Sequence, residues 1–199
     1  GSKFLHAGPG YGGSCFPKDT LALVKTAQDY GSPLRLIETT VAINDQRKRA
    51  MARKVARAIG SDIRGKTVAL LGLTFKPNTD DMRESPALAI VQGLQDSGAK
   101  VRAFDPEGME AAKACLTDVE FGTDPYAIAD GADALVLVTE WDAFRALDFA
   151  RLKKLMNDAL LVDLRNVYRR DVIDRHGFRY VSVGRPKQDI DRAFSRAAE

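Results

Sequence analysis

Short apolar runs alternate with helical stretches from residue 66 onward, and no other feature of this sequence limits the possible folds as much. The apolar runs lie at 67–73, 100–104, 134–139 and 159–164, with a candidate edge strand at 179–183. The helical patterns between them lie at 85–98, 109–115, 124–131 and 148–156. Strands that are apolar on both faces and separated by helices indicate a parallel sheet covered on both sides. The sequence therefore predicts an α/β fold with a doubly wound, Rossmann-like parallel sheet.

A much longer helical pattern precedes the sheet. Ser32 and Pro33 are residue types that begin helices. An apolar stripe then continues from Leu34 to Ile59, and Gly60 ends it. At about 1.5 Å per residue this helix would span roughly 40 Å, more than a small domain requires. Because a monomer would expose the stripe over several turns, the pattern predicts a long connecting helix that forms a homodimer.

The segment GPGYGGSCFPKDT, residues 8–20, places a thiol directly before a helix that is predicted to begin at Pro17. The amino end of a helix and a nearby ammonium both stabilise a thiolate, so the position of Cys15 before Lys18 favours a nucleophile. Asp19 lies in the same helical turn, where its carboxylate could act as a general base or orient water. A nucleophilic cysteine is therefore the functional interpretation of this segment.

Glycines beside the cysteine support that interpretation. Gly12 and Gly13 carry no side chain, which would leave room for a substrate to approach the thiol. The alternative is that Cys15 is a small buried residue and the glycines form a turn. Cys115, the other cysteine, has no comparable surroundings, so a structural role is expected for it.

A second candidate site follows the first strand of the predicted sheet. Ligands of such sheets bind at the carboxyl ends of the strands, where the loop GLTFKPNTDDMRES occupies residues 72–85. Only Gly72 is present there, so the GxGxxG fingerprint of dinucleotide binding is absent. We interpret Asp105, with Pro106, as a turn rather than as a ribose-binding acid. His6 and His176 have no partners at metal-ligand spacing, so no metal site is predicted.

Composition excludes several classes of protein. The apolar runs fall well short of the roughly 20 residues that cross a bilayer, and no signal segment opens the sequence, so we expect a cytoplasmic protein without membrane contact. A net charge of +3 does not require a polyanionic partner. Basic residues on the long helix could contact nucleic acid: Arg47, Lys48, Arg49, Arg53, Lys54 and Arg57. An apolar stripe beside them and few aromatic neighbours favour a solvated helix face instead.

Three segments carry a resemblance to a known family. GPGYGGSCFPKD resembles the active-site loop of the UDP-glucose 6-dehydrogenases, and GLTFKPNTDDMRESP resembles their nucleotide-sugar site. LVDLRN, residues 161–166, is similar to a third element of the same enzymes. The resemblance covers residues 1 to about 185. It implies a four-electron oxidation of UDP-glucose to UDP-glucuronate with NAD, in which Cys15 forms a thiohemiacetal and then a thioester.

The same resemblance implies a role for individual residues. Cys15 would be the nucleophile and Asp19 would support the water chemistry. The cofactor would meet Lys18 and Arg83. Substrate contacts would come from Phe4, Leu5, Gly8, Gly12, Lys76 and Arg165. Each basic residue also has a plainer alternative, because Lys76 could be a solvated loop residue, Arg83 could pair with a neighbouring acid, and Arg165 could be a turn residue.

The predicted organisation has three parts. Residues 1–60 would form the cysteine loop and the dimerisation helix, 61–185 the UDP-sugar-binding domain, and 186–199 a polar tail. The resembling enzymes also carry an amino-terminal NAD domain, so we expect this chain to be a carboxyl-terminal part that lacks that domain and does not turn over alone. Two alternatives stay open: a non-catalytic nucleotide-sugar-binding module, and a dehydrogenase of a related GDP- or UDP-sugar.

Overall fold

Two helices precede the sheet in the computed structural model of the chain, which describes residues 5–185. Helix α1 spans Cys15–Asp29, two residues earlier than its predicted start, and α2 spans Arg35–Ile59. The predicted start of α2 at Ser32 is wrong, because Ser32 belongs to the end of α1. Its backbone N–H donates to Ala27 O (2.8 Å), and Gly31 is left-handed (φ +66°), which together make a Schellman motif.

A parallel six-stranded sheet follows, which confirms the predicted fold class. The strands are β1 Thr67–Leu71, β2 Lys100–Phe104, β3 Val119–Phe121, β4 Ala134–Leu137, β5 Leu160–Asp163 and β6 Arg179–Ser182. Their order is β3-β2-β1-β4-β5-β6, and every neighbouring pair is parallel. The edge strand β3 was not predicted, because it is only three residues long and none of them is fully buried. The order reverses between β1 and β4, where ligands of doubly wound sheets bind.

Helices cover both faces of the sheet. They are α3 Pro86–Asp96, α4 Met109–Cys115, α5 Pro125–Ala129, α6 Phe149–Leu155 and α7 Arg170–Arg175, with a 3₁₀ helix at Asp142–Ala146. Asp124 and Asp148 cap α5 and α6 through side-chain oxygens that accept backbone N–H groups. The short α7 and the 3₁₀ helix were not predicted, since each is too brief to display a helical period.

Alternate residues of each strand enter opposite apolar layers. Val68 and Leu70 pack with α2, α3 and α4, whereas Ala69 and Leu71 pack with α5, α6 and α7. The carboxyl-terminal half of α2 is part of the first layer, and Val55 in it is fully buried. This packing fixes the carboxyl ends of the strands at one edge, where the loops that follow them meet. Within residues 5–185 no helix is long and apolar enough to cross a membrane.

Candidate active site

Cys15 lies at the very start of α1, on its first turn rather than before the helix. Its thiol is exposed and forms no disulfide. Lys18 and Asp19 are also exposed and form an ion pair with each other, with 3.4 Å between Nζ and Oδ1. The thiol and both charged side chains are therefore open to a ligand. Cys115 ends α4, where burial raises the pKa of its thiol.

The cysteine loop, residues 8–14, packs against the loop of residues 72–85. The Gly13 backbone N–H donates to Arg83 O (2.8 Å). A Cβ built on Gly12 would lie 2.3 Å from Glu84 O, and one on Gly13 would lie 2.7 Å from Cε2 of Phe75. The prediction that these glycines leave open space for a substrate is wrong, because their missing side chains point into the protein. What the glycines permit is close contact between the two predicted site loops.

Three polar side chains of α2 bond to the two loops, two of them to the cysteine loop and one to the 72–85 loop, and the sequence did not predict these contacts. Asn44 accepts from Tyr11 N (2.8 Å) and donates to Tyr11 O (3.1 Å), and Arg47 Nε donates to Gly8 O (2.7 Å). Lys48 Nζ donates to Glu84 O (2.9 Å) in the 72–85 loop. Arg47 and Lys48 are thus bonded within the protein, which argues against the nucleic-acid interpretation of this helix.

Asp105 organises the loops at the ends of β1, β2 and β4. The carboxylate is fully buried and receives six hydrogen bonds, from the backbone N–H groups of Leu73, Thr74, Glu107 and Gly108, the Thr74 hydroxyl and the Trp141 indole N–H. The interpretation of Asp105 as a turn residue is therefore incomplete. Its bonds to residues 107 and 108 do make a turn, but four further bonds fix the start of the 72–85 loop and Trp141. Since both carboxylate oxygens are occupied, Asp105 is not available to bind a ribose.

Arg165 lies beneath the cysteine loop at the end of β5. Its side chain is only 13% exposed, and its Nε donates to Val138 O (2.9 Å). Nε also lies 3.0 Å from Glu140 Oε2, and Nη2 donates to Phe75 O (3.3 Å). A Cβ on Gly8 would lie 2.6 Å from Arg165 Nη1. Arg165 therefore joins the cysteine loop, the 72–85 loop and the segment after β4, which excludes the alternative of an exposed turn residue.

Burial shapes the electrostatics around Arg165. Desolvation lowers the pKa of its guanidinium, while the charges of Glu140 and Asp163 oppose that effect. Asp163 is fully buried and accepts from the Arg165 backbone N–H (2.9 Å) and from the Tyr180 hydroxyl (2.8 Å). Arg165 remains a cation with a fixed position, suited to an anionic ligand.

Two cavities adjoin these residues. One, of about 350 Å³, lies between the amino-terminal segment and the ends of β4 and β5 and is lined by His6, Ala7, Glu140, Arg145, Arg165, Asn166 and Val167. The other, of about 620 Å³, lies between the 79–83 segment and α4 and includes Arg83 and Cys115 in its lining. Arg165 and Arg83 thus line different cavities.

Lys76 and Arg83 are exposed on the 72–85 loop. Arg83 pairs with Asp81 at 2.7 Å, as the plainer alternative expected. That hydrogen bond and the charge of Asp81 raise the pKa of Arg83. Lys76 Nζ lies 5.3 Å from the centre of the Phe75 ring. Leu5 is exposed at the edge of the cysteine loop, and Phe4 lies outside the described residues, as does the predicted tail.

No group of three or more metal-ligating side chains is found among residues 5–185. The donors brought together here are instead cations, backbone N–H groups and one thiol. Such a set can bind an anion through Arg165 and Lys76 and can attack an electrophilic carbon through Cys15.

Comparison with known proteins identifies the family. Residues 69–170 match the UDP-binding domain of the UDP-glucose/GDP-mannose dehydrogenase family, and residues 1–46 match the central domain of that family. The UDP-glucose 6-dehydrogenase of Rhizobium meliloti (strain 1021) is 68% identical over 186 residues, which are 94% of this chain and 43% of that protein. UDP-glucose 6-dehydrogenase TuaD of Bacillus subtilis (strain 168) is 41% identical over 187 residues, 94% of this chain and 40% of that protein. The chain thus spans less than half the length of these relatives.

Solved structures agree with this assignment. A UDP-glucose dehydrogenase from the archaeon Pyrobaculum islandicum superposes with a TM-score of 0.74 at 33% identity, covering 91% of this chain and 39% of that one. The NDP-N-acetyl-D-galactosaminuronic acid dehydrogenase of Methanosarcina mazei Go1 superposes with a TM-score of 0.78 at 27% identity, covering 89% and 39%. A fold, two domain matches and close relatives lead to one conclusion: the chain belongs to the UDP-glucose/GDP-mannose dehydrogenase family.

Proposed function

We propose that this chain is the part of an NAD-dependent UDP-glucose 6-dehydrogenase that supplies the nucleophile and much of the nucleotide-sugar site. The observation that carries the proposal is the packing of the Cys15 loop onto both the 72–85 loop and Arg165. This packing brings a thiol at a helix start close to the loops at the strand ends of a UDP-binding domain, where Lys76, Arg83 and Arg165 supply positive charge. The close relatives support UDP-glucose over a related GDP- or UDP-sugar.

Cys15 provides the covalent chemistry in this proposal. An aldehyde loses a hydride readily only after a nucleophile has added to its carbonyl carbon, and a thiolate is suited to that addition. Addition of the Cys15 sulfur to the C6 aldehyde forms a C–S bond, and the carbonyl oxygen takes up a proton to give a thiohemiacetal. Loss of a hydride and a proton leaves a thioester. Water then attacks the thioester carbon, the C–S bond breaks, and the products are a carboxylate, a proton and the free thiol.

Asp19 is placed to assist the water step. Its carboxylate is exposed one helical turn from Cys15, and Lys18 holds it as an ion pair. A carboxylate at that position can orient water or accept its proton as the thioester is hydrolysed. Separation of Asp19 from Lys18 would accompany this role, because Lys18 is proposed to contact the cofactor.

NAD, when bound, would accept the two hydrides. The sheet described here does not fit the adenosine half of that cofactor, because it lacks the glycine fingerprint and Asp105 is fully hydrogen-bonded. The exposed cations Lys18 and Arg83 do fit a contact with its phosphates. We therefore propose that the main NAD site lies in a separate domain of the intact protein and that this chain alone does not turn over.

The proposed substrate contacts divide into two kinds. Leu5, Gly8 and Gly12 would contact the nucleotide sugar largely through their backbone. Lys76 and Arg165 would supply positive charge. The proposed role of Phe4 rests on the resemblance alone. The division at residue 60, the sugar preference and a cytoplasmic location stay predictions.

Replacing Arg165 tests the proposed UDP site. Arg165→Lys keeps the positive charge beside Glu140 but loses the planar fork that reaches Val138 and Phe75. Loss of charge-assisted hydrogen bonds costs about 1.5–3 kcal/mol, so we expect UDP affinity, measured by titration calorimetry, to fall about 10- to 100-fold. Arg169→Lys is the matched control, because Arg169 is an exposed arginine that pairs with Asp171. Arg165→Lys binding within threefold of the original chain would contradict the assignment.

A homodimer is proposed because α1 and the first half of α2 expose apolar side chains. Leu36 is 84% exposed, and Leu21, Leu23, Tyr30 and Ile43 are also exposed. Burial of these side chains would be favourable by roughly 25 cal/mol per Å². We expect sedimentation velocity to give a dimer and Leu36→Glu to shift it toward monomer. A monomer at high concentration, before any substitution, would remove this proposal.

A further inference from the structure

Lys48, on α2, bonds to the 72–85 loop. Its side chain is only 9% exposed, and its Nζ donates to Glu84 O (2.9 Å) and Glu84 Oε2 (3.1 Å). The Glu84 side chain, which forms the other half of this ion pair, is 62% exposed to solvent. Burial of an ammonium costs free energy unless the group is well bonded. Because the Glu84 carboxylate is mostly exposed, the hydrogen bond to the Glu84 carbonyl is the contact that offsets this cost.

The backbone of Glu84 is bent to make this contact. Glu84 has a φ of +53°, in the left-handed region that residues with a Cβ occupy at a cost of about 1 kcal/mol or more. Its carbonyl oxygen meets both the Lys48 ammonium and the Gly12 backbone, where a Cβ would lie only 2.3 Å away. The preceding carbonyl, of Arg83, accepts from Gly13 N (2.8 Å). Two consecutive carbonyls thus join the 72–85 loop to α2 and to the cysteine loop.

The stem of Lys48 also touches the cysteine loop. A Cβ on Gly10 would lie 3.0 Å from Lys48 Cγ, and Gly10 itself is in a conformation with φ +139°. Asn44, one helical turn earlier, and Arg47, the preceding residue, bond to the cysteine loop at Tyr11 and Gly8. Lys48 therefore contacts both loops at the point where they meet.

We propose that Lys48 is a positioning residue that holds the cysteine loop in register with the 72–85 loop. Its ammonium fixes the Glu84 carbonyl, which supports the Gly12 backbone and with it the placement of Cys15 relative to Lys76 and Arg83. The link to catalysis rests on the proposed function, whereas the coupling of the two loops does not. Misplacement of a reacting group by about 1 Å can cost on the order of 100-fold in rate.

Lys48→Met tests the proposal, because methionine preserves most of the buried stem and removes the ammonium. The test uses the full-length protein that contains this chain. Amide hydrogen exchange should become at least tenfold faster at Gly13, while Leu70 in β1 is unchanged. With UDP-glucose and NAD, kcat should fall at least tenfold, while the Kd for UDP stays within threefold because Arg165 and Lys76 are intact.

Two further variants separate the carbonyl contact from general effects of charge. Arg49→Met removes an exposed cation from the adjacent position of α2, where Arg49 pairs with Asp45, and should match the original protein in both measurements. Glu84→Gln removes the carboxylate and keeps the carbonyl, so exchange at Gly13 should stay within threefold. A Glu84→Gln variant as impaired as Lys48→Met would overturn the assignment to the carbonyl.

The two measurements distinguish the inference from the proposed function. Gly13 exchange within twofold in Lys48→Met overturns the coupling, whatever the turnover. Faster exchange with an unchanged kcat overturns the positioning role. A full-length protein that does not oxidise UDP-glucose defeats the proposed function, and the exchange result then still decides whether Lys48 couples the loops.

Discussion

Cys15→Ser should abolish production of UDP-glucuronate by the full-length protein that contains this chain. A serine hydroxyl at neutral pH is a far weaker nucleophile than a thiolate, and no general base is bonded to this position in the structure described for residues 5–185. We expect the rate of carboxylate formation to fall by at least about a thousandfold. The measurement is glucuronate formed per minute, by chromatography of the reaction mixture.

Cys115→Ser is the matched control, because it changes the other cysteine of the chain. Cys115 lies at the end of α4, where its thiol donates to Ala111 O (3.2 Å), and we expect its replacement to leave the rate within twofold. A second observation separates a nucleophile from a passive thiol in a binding module. Iodoacetamide should label Cys15 well before Cys115, since burial raises the pKa of Cys115. Unchanged glucuronate output in Cys15→Ser would rule out the nucleophile.

Asp105→Ala should cause the largest loss of stability among single substitutions at the strand ends. Six donors converge on this fully buried carboxylate, and each donor left unpaired in the interior costs about 1–3 kcal/mol. Water would reach some of these donors in the variant. We therefore expect the free energy of unfolding to fall by about 4 kcal/mol and the Tm to fall by roughly 10 °C. Differential scanning calorimetry of the chain measures this directly.

Two further variants serve as controls for the stability of Asp105→Ala. Asp142→Ala removes a carboxylate that is 94% exposed and should change stability by no more than about 0.5 kcal/mol. Asp105→Asn keeps one acceptor oxygen but turns an amide N–H₂ toward other donors, so its loss should be smaller than that of alanine and still clear. It also provides a folded protein if alanine prevents folding. An alanine variant as stable as the original would mean that Asp105 does not organise these loops.

The strands that are apolar on both faces could be predicted from sequence because burial on two sides leaves a continuous apolar run. Strand β2 and helix α4 have the predicted bounds, and the other predicted elements differ from the observed ones by a few residues at their ends. Strand β3 was missed because an edge strand with one exposed residue in three gives no such run. The start of α2 was misplaced because Ser32, a common cap residue, is used to end α1.

The two predicted site loops do pack against each other, but the structural roles of their residues could be predicted only in part. Glycine in the cysteine loop suggested open space, whereas the structure uses Gly12 and Gly13 to bring two backbones together. Lys48 stands in a run of basic residues, and nothing in the sequence distinguishes it from Arg47 and from the exposed Arg49. Asp105 received a local interpretation because four of its six donors come from residues more than 30 positions away. Such contacts depend on how the strands are ordered, which sequence patterns alone do not give.

The most direct test of the proposed chemistry is the number of NADH molecules formed for each UDP-glucose consumed by the full-length protein. Absorbance at the NADH band and chromatography of the remaining UDP-glucose supply the two quantities. A four-electron oxidation through a Cys15 thioester predicts two NADH for each UDP-glucose, with UDP-glucuronate as the product. One NADH for each UDP-glucose, with the aldehyde as product, would contradict it.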